Sequence, residues 1–174
     1  MVGSSRRNRA IWVGSAFAAA LLFDIATKWL IINVVMVPPR TIEIMPFFNL
    51  TLGFNTGVSF GMFRDVFLEW PLVLAGIKVV IAIGLVVWAM RTDRAIEAAA
   101  LGLIAGGAAG NIVDRVRHGA VTDFLDFHVG TWHWPAFNMA DVAISTGVAL
   151  LLAGSLFSSQ LPVRAQEPAS DGKR

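Results

Sequence analysis

The sequence predicts a mostly α, polytopic membrane protein: a four-transmembrane-helix bundle with a small extracytoplasmic β platform between helices 1 and 2. Three observations predict it. Of 174 residues, 56% are hydrophobic and only 15% charged, too little charge to cover a soluble domain of this size. Residues 10–33, 71–90, 95–113 and 137–157 each approach the length of about 20 mostly apolar residues that a bilayer-crossing helix needs. Basic residues are also distributed unevenly between the segments that separate these spans.

The first span follows Arg6, Arg7 and Arg9. It resembles the core of a cleavable signal peptide, but the apolar run continues past Asp24 and Lys28 to Val37, too far for such a core. An uncleaved span is the expectation. Arg91 and Arg94 separate the second and third spans, and Arg164, Lys173 and Arg174 follow the fourth. The other two connections carry Arg40, Arg64, Arg115 and Arg117. The excess of basic residues in the first set places both termini in the cytoplasm and residues 34–70 and 114–136 outside. The formal net charge of +2 is thereby read as topological anchoring, and no nucleic-acid partner is expected. With no cysteine in the chain, disulfides, thiolate catalysis and cysteine-ligated metals are excluded.

Residues 38–66 mix Phe, Leu and Met with Gly, Asn and Pro, which suggests short strands and turns lying on the outer membrane surface. Gly102, Gly106 and Gly110 in the third span recur every four residues and share one helix face. Such a ladder lets helix backbones approach closely. It serves either packing inside the bundle or a groove for a foreign helix. Residues 1–158 are expected to form the membrane domain. Residues 159–174 are polar and Pro-containing, and are expected to be a disordered cytoplasmic tail.

Ionisable groups within spans need an explanation. Asp24 and Lys28 stand four apart on one helix face and can pair. Lys78 stands alone in the second span, and snorkelling toward the headgroups is its expected fate. Asn111 and Arg115 share a face of a helix that continues until Gly119 breaks it. The following "AVTDFLDF" alternates like a strand, so Asp123 and Asp126 point to opposite faces. Asp123 sides with Val121 and Leu125, and Asp126 reads as the solvated one. Asn138 can cap the fourth helix with Asp141 in its first turn, where a helix dipole stabilises an anion. If Asp123 faces Asp141 across a drier site, the pair can share one proton and act as base and acid on a water. Structural caps and ion pairs explain the same residues. So does a proton relay in a small transporter, although the chain shows no internal repeat of the sort many transporters carry.

Taken together, "DIATK", "FNTGVSFG", "GNIVDR", "VTDF" and "FNMAD" resemble lipoprotein signal peptidase, also called signal peptidase II. They occur in the family's order over residues 10–157. The resemblance implies an aspartic endopeptidase of the bacterial inner membrane, sensitive to globomycin, that cuts prolipoproteins before a diacylglyceryl-modified cysteine near the periplasmic face. It places Asp123 and Asp141 on the catalytic dyad, and Asp24, Lys28, Asn55, Asn111, Arg115 and Asn138 on supporting or substrate-binding positions. No metal or cofactor is implied. The expected partners are lipidated prolipoproteins and membrane lipids, and the expected state is a monomer.

Overall fold

The computed structural model describes residues 2–57 and 71–158. Helix α1 (Val2–Leu30) continues into a π-helical turn (Ile31–Val35), followed by strands β1 (Ile42–Met45) and β2 (Phe48–Asn55). Helices α2 (Pro71–Ala89) and α3 (Ala95–His118) come next, then β3 (Val121–Val129), β4 (Trp132–His133) and α4 (Met139–Ser158). Among the described residues, Arg6–Val35, Ala95–His118 and Met139–Leu156 are long and apolar enough to cross a membrane, while the apolar part of α2 is the shorter Gly76–Ala89. The expected ends of the platform (58–66) and the tail (159–174) lie outside the described residues.

Helix α3 is the axis on which α1, α2 and α4 pack. Its outward-facing partners leave large apolar side chains exposed, among them Phe23 and Trp29 on α1, Val80 and Ile83 on α2, and Leu152 and Leu156 on α4. Water would not tolerate a continuous apolar surface of that extent, whereas lipid matches it. The Arg9 guanidinium donates to the Thr92 carbonyl at 2.9 Å and reaches Asp93 at 2.7 Å, so the start of α1 and the α2–α3 turn share one end of the bundle. The third helix runs beyond the expected span end at residue 113 and stops at Gly119, whose φ of 73° is left-handed.

The glycine ladder packs inside the bundle. A Cβ at Gly102 would lie 2.7 Å from the Val13 carbonyl oxygen, and one at Gly106 would overlap that of Phe17. Gly107 approaches α4 instead, at the Ala140 carbonyl. Gly106→Ala should therefore lower stability by about 1–3 kcal/mol, because backbone rather than a side chain would have to move. Gly84→Ala, with nothing within 4 Å of the added carbon, should hold stability or raise it by up to about 1 kcal/mol, as removal of a helix-interior glycine does. Thermal unfolding of both variants in detergent checks the contrast.

The small sheet is antiparallel, in the order β1-β2-β3-β4. Its register sets Leu50 opposite Leu125, Gly53 opposite Asp123 and Asn55 opposite Val121, with an irregularity between Leu50 and Gly53. Half of the sheet thus comes from the segment between α3 and α4, which corrects the expectation of a platform built between the first two helices alone. Ile31, Met36 and Phe124 are buried beneath it, with Ile42, Leu50 and Leu52 packed against them. That small core seats the sheet on the end of α1. It is also what fixes β3, and with it Asp123, over the mouth of the bundle.

Candidate active site

The site grows from the close approach of α1 and α3. Gly110 has no side chain to obstruct Asp24, whose carboxylate occupies the place a Cβ would take. Asp24 is fully buried. Its Oδ2 accepts from Lys28 Nζ at 2.7 Å, and its Oδ1 accepts from the Ala140 backbone N–H at 2.9 Å. Helix α1 thereby holds the first turn of α4. Lys28 Nζ also donates to Asn111 Oδ1 at 3.0 Å and lies 3.2 Å from Asp114 Oδ2. Asp114 Oδ2 in turn accepts the Thr122 N–H at 2.9 Å, which joins the end of α3 to the start of β3.

Asn138 connects this network to both remaining acids. Its Nδ2 donates to Asp123 Oδ1 at 2.6 Å. Its Oδ1 accepts the Asp141 N–H at 3.1 Å, while its own N–H donates to Asp141 Oδ2 at 3.2 Å. This is the reciprocal cap that the spacing predicted, with Asp in the place of Glu. Asn111 Nδ2 donates to Asp141 Oδ1 at 3.2 Å. One asparagine side chain therefore touches two carboxyl-bearing residues that arrive from a strand and a helix.

Asp123 and Asp141 open onto a cavity of about 440 Å³ that Asn55, Lys78, Asn111, Arg115, Trp134 and Phe137 also line. Arg115 donates from Nη1 to the Thr56 carbonyl at 3.2 Å and from Nη2 to the Gly57 carbonyl, so α3 holds the chain just after β2 over the cavity. Burial, and then the negative charge of Asp141, push the Asp123 carboxyl up to about 6, against hydrogen bonds from Asn138 and Asn55 that favour its anion. The proton Asp123 holds below that pH is released as pH rises through it. Removing the Asp141 charge should move this midpoint down, so in Asp141→Asn the Asp123 carboxyl titrates below 6. Infrared titration of the protonated-carboxyl band measures it.

All eight residues singled out in the sequence meet here: Asp24, Lys28, Asn55, Asn111, Arg115, Asp123, Asn138 and Asp141. Two expectations are corrected. Asp126 does lie on the face opposite Asp123, but it is buried rather than solvated, because Asn49 Nδ2 at 3.3 Å and His133 Nδ1 at 2.8 Å close over it. Lys78 does not snorkel; it lines the cavity with the aspartates. Asp114 was missed as a site-building residue. Its signal was present, since it falls between Asn111 and Arg115 in "GNIVDR", but which groups it would meet depends on strand placement. An aspartate pair with unlike surroundings, one member readily protonated, is suited to general acid–base work on a water.

The family model for signal peptidase (SPase) II matches residues 16–157. A lipoprotein signal peptidase of Paraburkholderia phymatum is 41% identical over 149 residues, covering 84% of this chain and 88% of that protein. One from a Methylobacterium species is 40% identical over 162 residues, covering 92% and 98%. A bacterial membrane enzyme solved by the in meso method at 2.3 Å resolution superposes with a TM-score of 0.71 at 26% identity, covering 96% of each chain. A second, at 1.9 Å, gives 0.64 at 28% identity, covering 90% and 94%.

Proposed function

The chain belongs to the signal peptidase II family, and from that premise we propose that its cavity cleaves lipidated prolipoproteins by an aspartate-activated water. The family is one of aspartic-type peptidases, removing signal peptides from prolipoproteins at the bacterial inner membrane. Asp123 and Asp141 are the catalytic pair. The observation that carries this is the double engagement of Asn138, which holds both acids toward one cavity.

The pair shares one proton, and Asp123 is the member whose surroundings favour holding it. The ionised carboxylate takes a proton from water as the water oxygen attacks the scissile carbonyl carbon. The other acid gives its proton to the carbonyl oxygen, forming a neutral gem-diol. Collapse of the diol returns that proton to one aspartate and passes the other to the leaving amine, so the pair ends as it began. Asn111 and Asn138 fix the carboxyl orientations, Arg115 and Asn55 hold the segment after β2 over the substrate, and Asp24 with Lys28 anchors α4. The reading further assigns four membrane spans, cytoplasmic termini and a cleavage site at the periplasmic boundary, where the sheet lies on the membrane and the scissile bond is met before a diacylglyceryl-modified cysteine.

Purified protein incubated with a precursor peptide carrying that modified cysteine tests the proposal. Mass spectrometry should show one cut, immediately before the lipidated residue, blocked by globomycin. A cut elsewhere, or equal turnover of the unlipidated peptide, would reject the assignment.

A further inference from the structure

Lys78 is left over from the mechanism above. Its side chain is half-buried and lines the cavity, close enough to Arg115, Asp141 and Asp123 to feel their charges. Yet among the described residues its ammonium has neither a hydrogen bond nor an ion pair. An ammonium that opens onto a cavity inside an apolar bundle, with no bond to a described residue, is free to meet a bound group there.

Its position narrows what it binds. Lys78 lies about 10 Å along α2 from Pro71, at 1.5 Å per residue. The same cavity continues from Asp141 down α4 past Val142 to Ser145 and Thr146. The ammonium therefore faces the part of the cavity on the membrane side of the aspartates. If the cavity is the cleavage site proposed above, that part receives the signal segment upstream of the scissile bond.

Such a segment crosses lipid as a helix, because its backbone polar groups find partners only within itself. The bond to be cut must lie beyond the helix, in chain that the aspartates can reach. The last four carbonyls of the helix then lack intrahelical donors, at the end where the helix dipole is negative and a cation is stabilising. We propose that Lys78 binds the main-chain carbonyl oxygens at the C-terminal end of the substrate's signal helix, and so sets the register of the scissile bond over Asp123 and Asp141. The rival role, acting through the charge of the acids, predicts instead a displaced pH profile at constant KM.

The test uses the full-length protein and two diacylglyceryl-modified peptides, one with an intact apolar signal segment and one truncated to a few residues before the cleavage point. On the long peptide Lys78→Met should raise KM about tenfold or more, the loss of one charge-assisted hydrogen bond, with kcat within about twofold. Lys78→Arg should restore most of the affinity. On the short peptide wild type and Lys78→Met should share one KM. The unfolding midpoint of Lys78→Met should equal or exceed that of wild type, since only an unpaired charge is lost.

An unchanged KM on the long peptide overturns the proposal. So does an equal rise on the short one, which would assign Lys78 to the ester carbonyls of the lipid. A displaced pH profile at constant KM overturns it as well, in favour of action through the aspartates. Failure of wild type to cut either peptide would instead strike the reading of the cavity itself.

Discussion

Asp123→Asn and Asp141→Asn should each lower kcat on a lipidated precursor by at least about 10³-fold, the upper range for loss of a positioned acid or base. Both variants should remain folded. Each amide is isosteric with the carboxyl it replaces, and Asp123 is already a group whose burial opposes ionisation. Above pH 6 the Asp123→Asn variant should be at least as stable as wild type. The wild-type Asp123 carboxyl, raised above its unfolded value, favours folding at low pH and loses that advantage as pH rises through about 6. Asp126→Asn is the internal control: it alters a buried acid on the same strand that points away from the cavity, and should keep most turnover. Initial rates with circular dichroism of the same samples decide it. Equal loss in all three would mean that strand integrity, not a reacting pair, was being measured.

Lys28→Met should have the largest effect on stability. Lys28 lies within 2.7 Å of one Asp24 oxygen and 3.2 Å of one Asp114 oxygen, with Asp24 wholly inaccessible. Breaking a buried pair by removing one partner typically costs about 3–5 kcal/mol, because the other charge stays behind uncompensated. Here two carboxylates would be left. The expected outcome is a large drop in folded yield and in the unfolding midpoint in detergent. Adding Asp24→Asn should recover part of the loss, as expected for residues that act as one unit. Independent, additive losses would show that Asp24 and Lys28 do not act as one unit.

How far the sequence reveals this arrangement depends on the range of the interaction concerned. Local rules were sufficient for the helices, the stop at Gly119, the Asn138–Asp141 cap and the opposite facing of Asp123 and Asp126. They could not show what covers a face. Asp126 is buried by Asn49 from β2 and His133 from β4, and β2 reaches it only through a pairing of distant segments. Lys78 was misjudged for the same reason. In a helix that is apolar all round, one charged residue gives no phase, and only the packing of α2 against α3 determines that it faces inward. The glycine ladder left two uses open until the carbonyls of Val13 and Phe17 were seen against it.

The bond from the Ala140 N–H to Asp24 joins the last described helix to the first. Until α4 docks, Asp24 has no backbone donor there, and Asn138 and Asp141 are not held at the site. A chain whose α4 has not yet packed against α1 therefore carries an incomplete site, with Asp123 in place but its Asn138 partner still free to move. Completion of the bundle and completion of the site are one event.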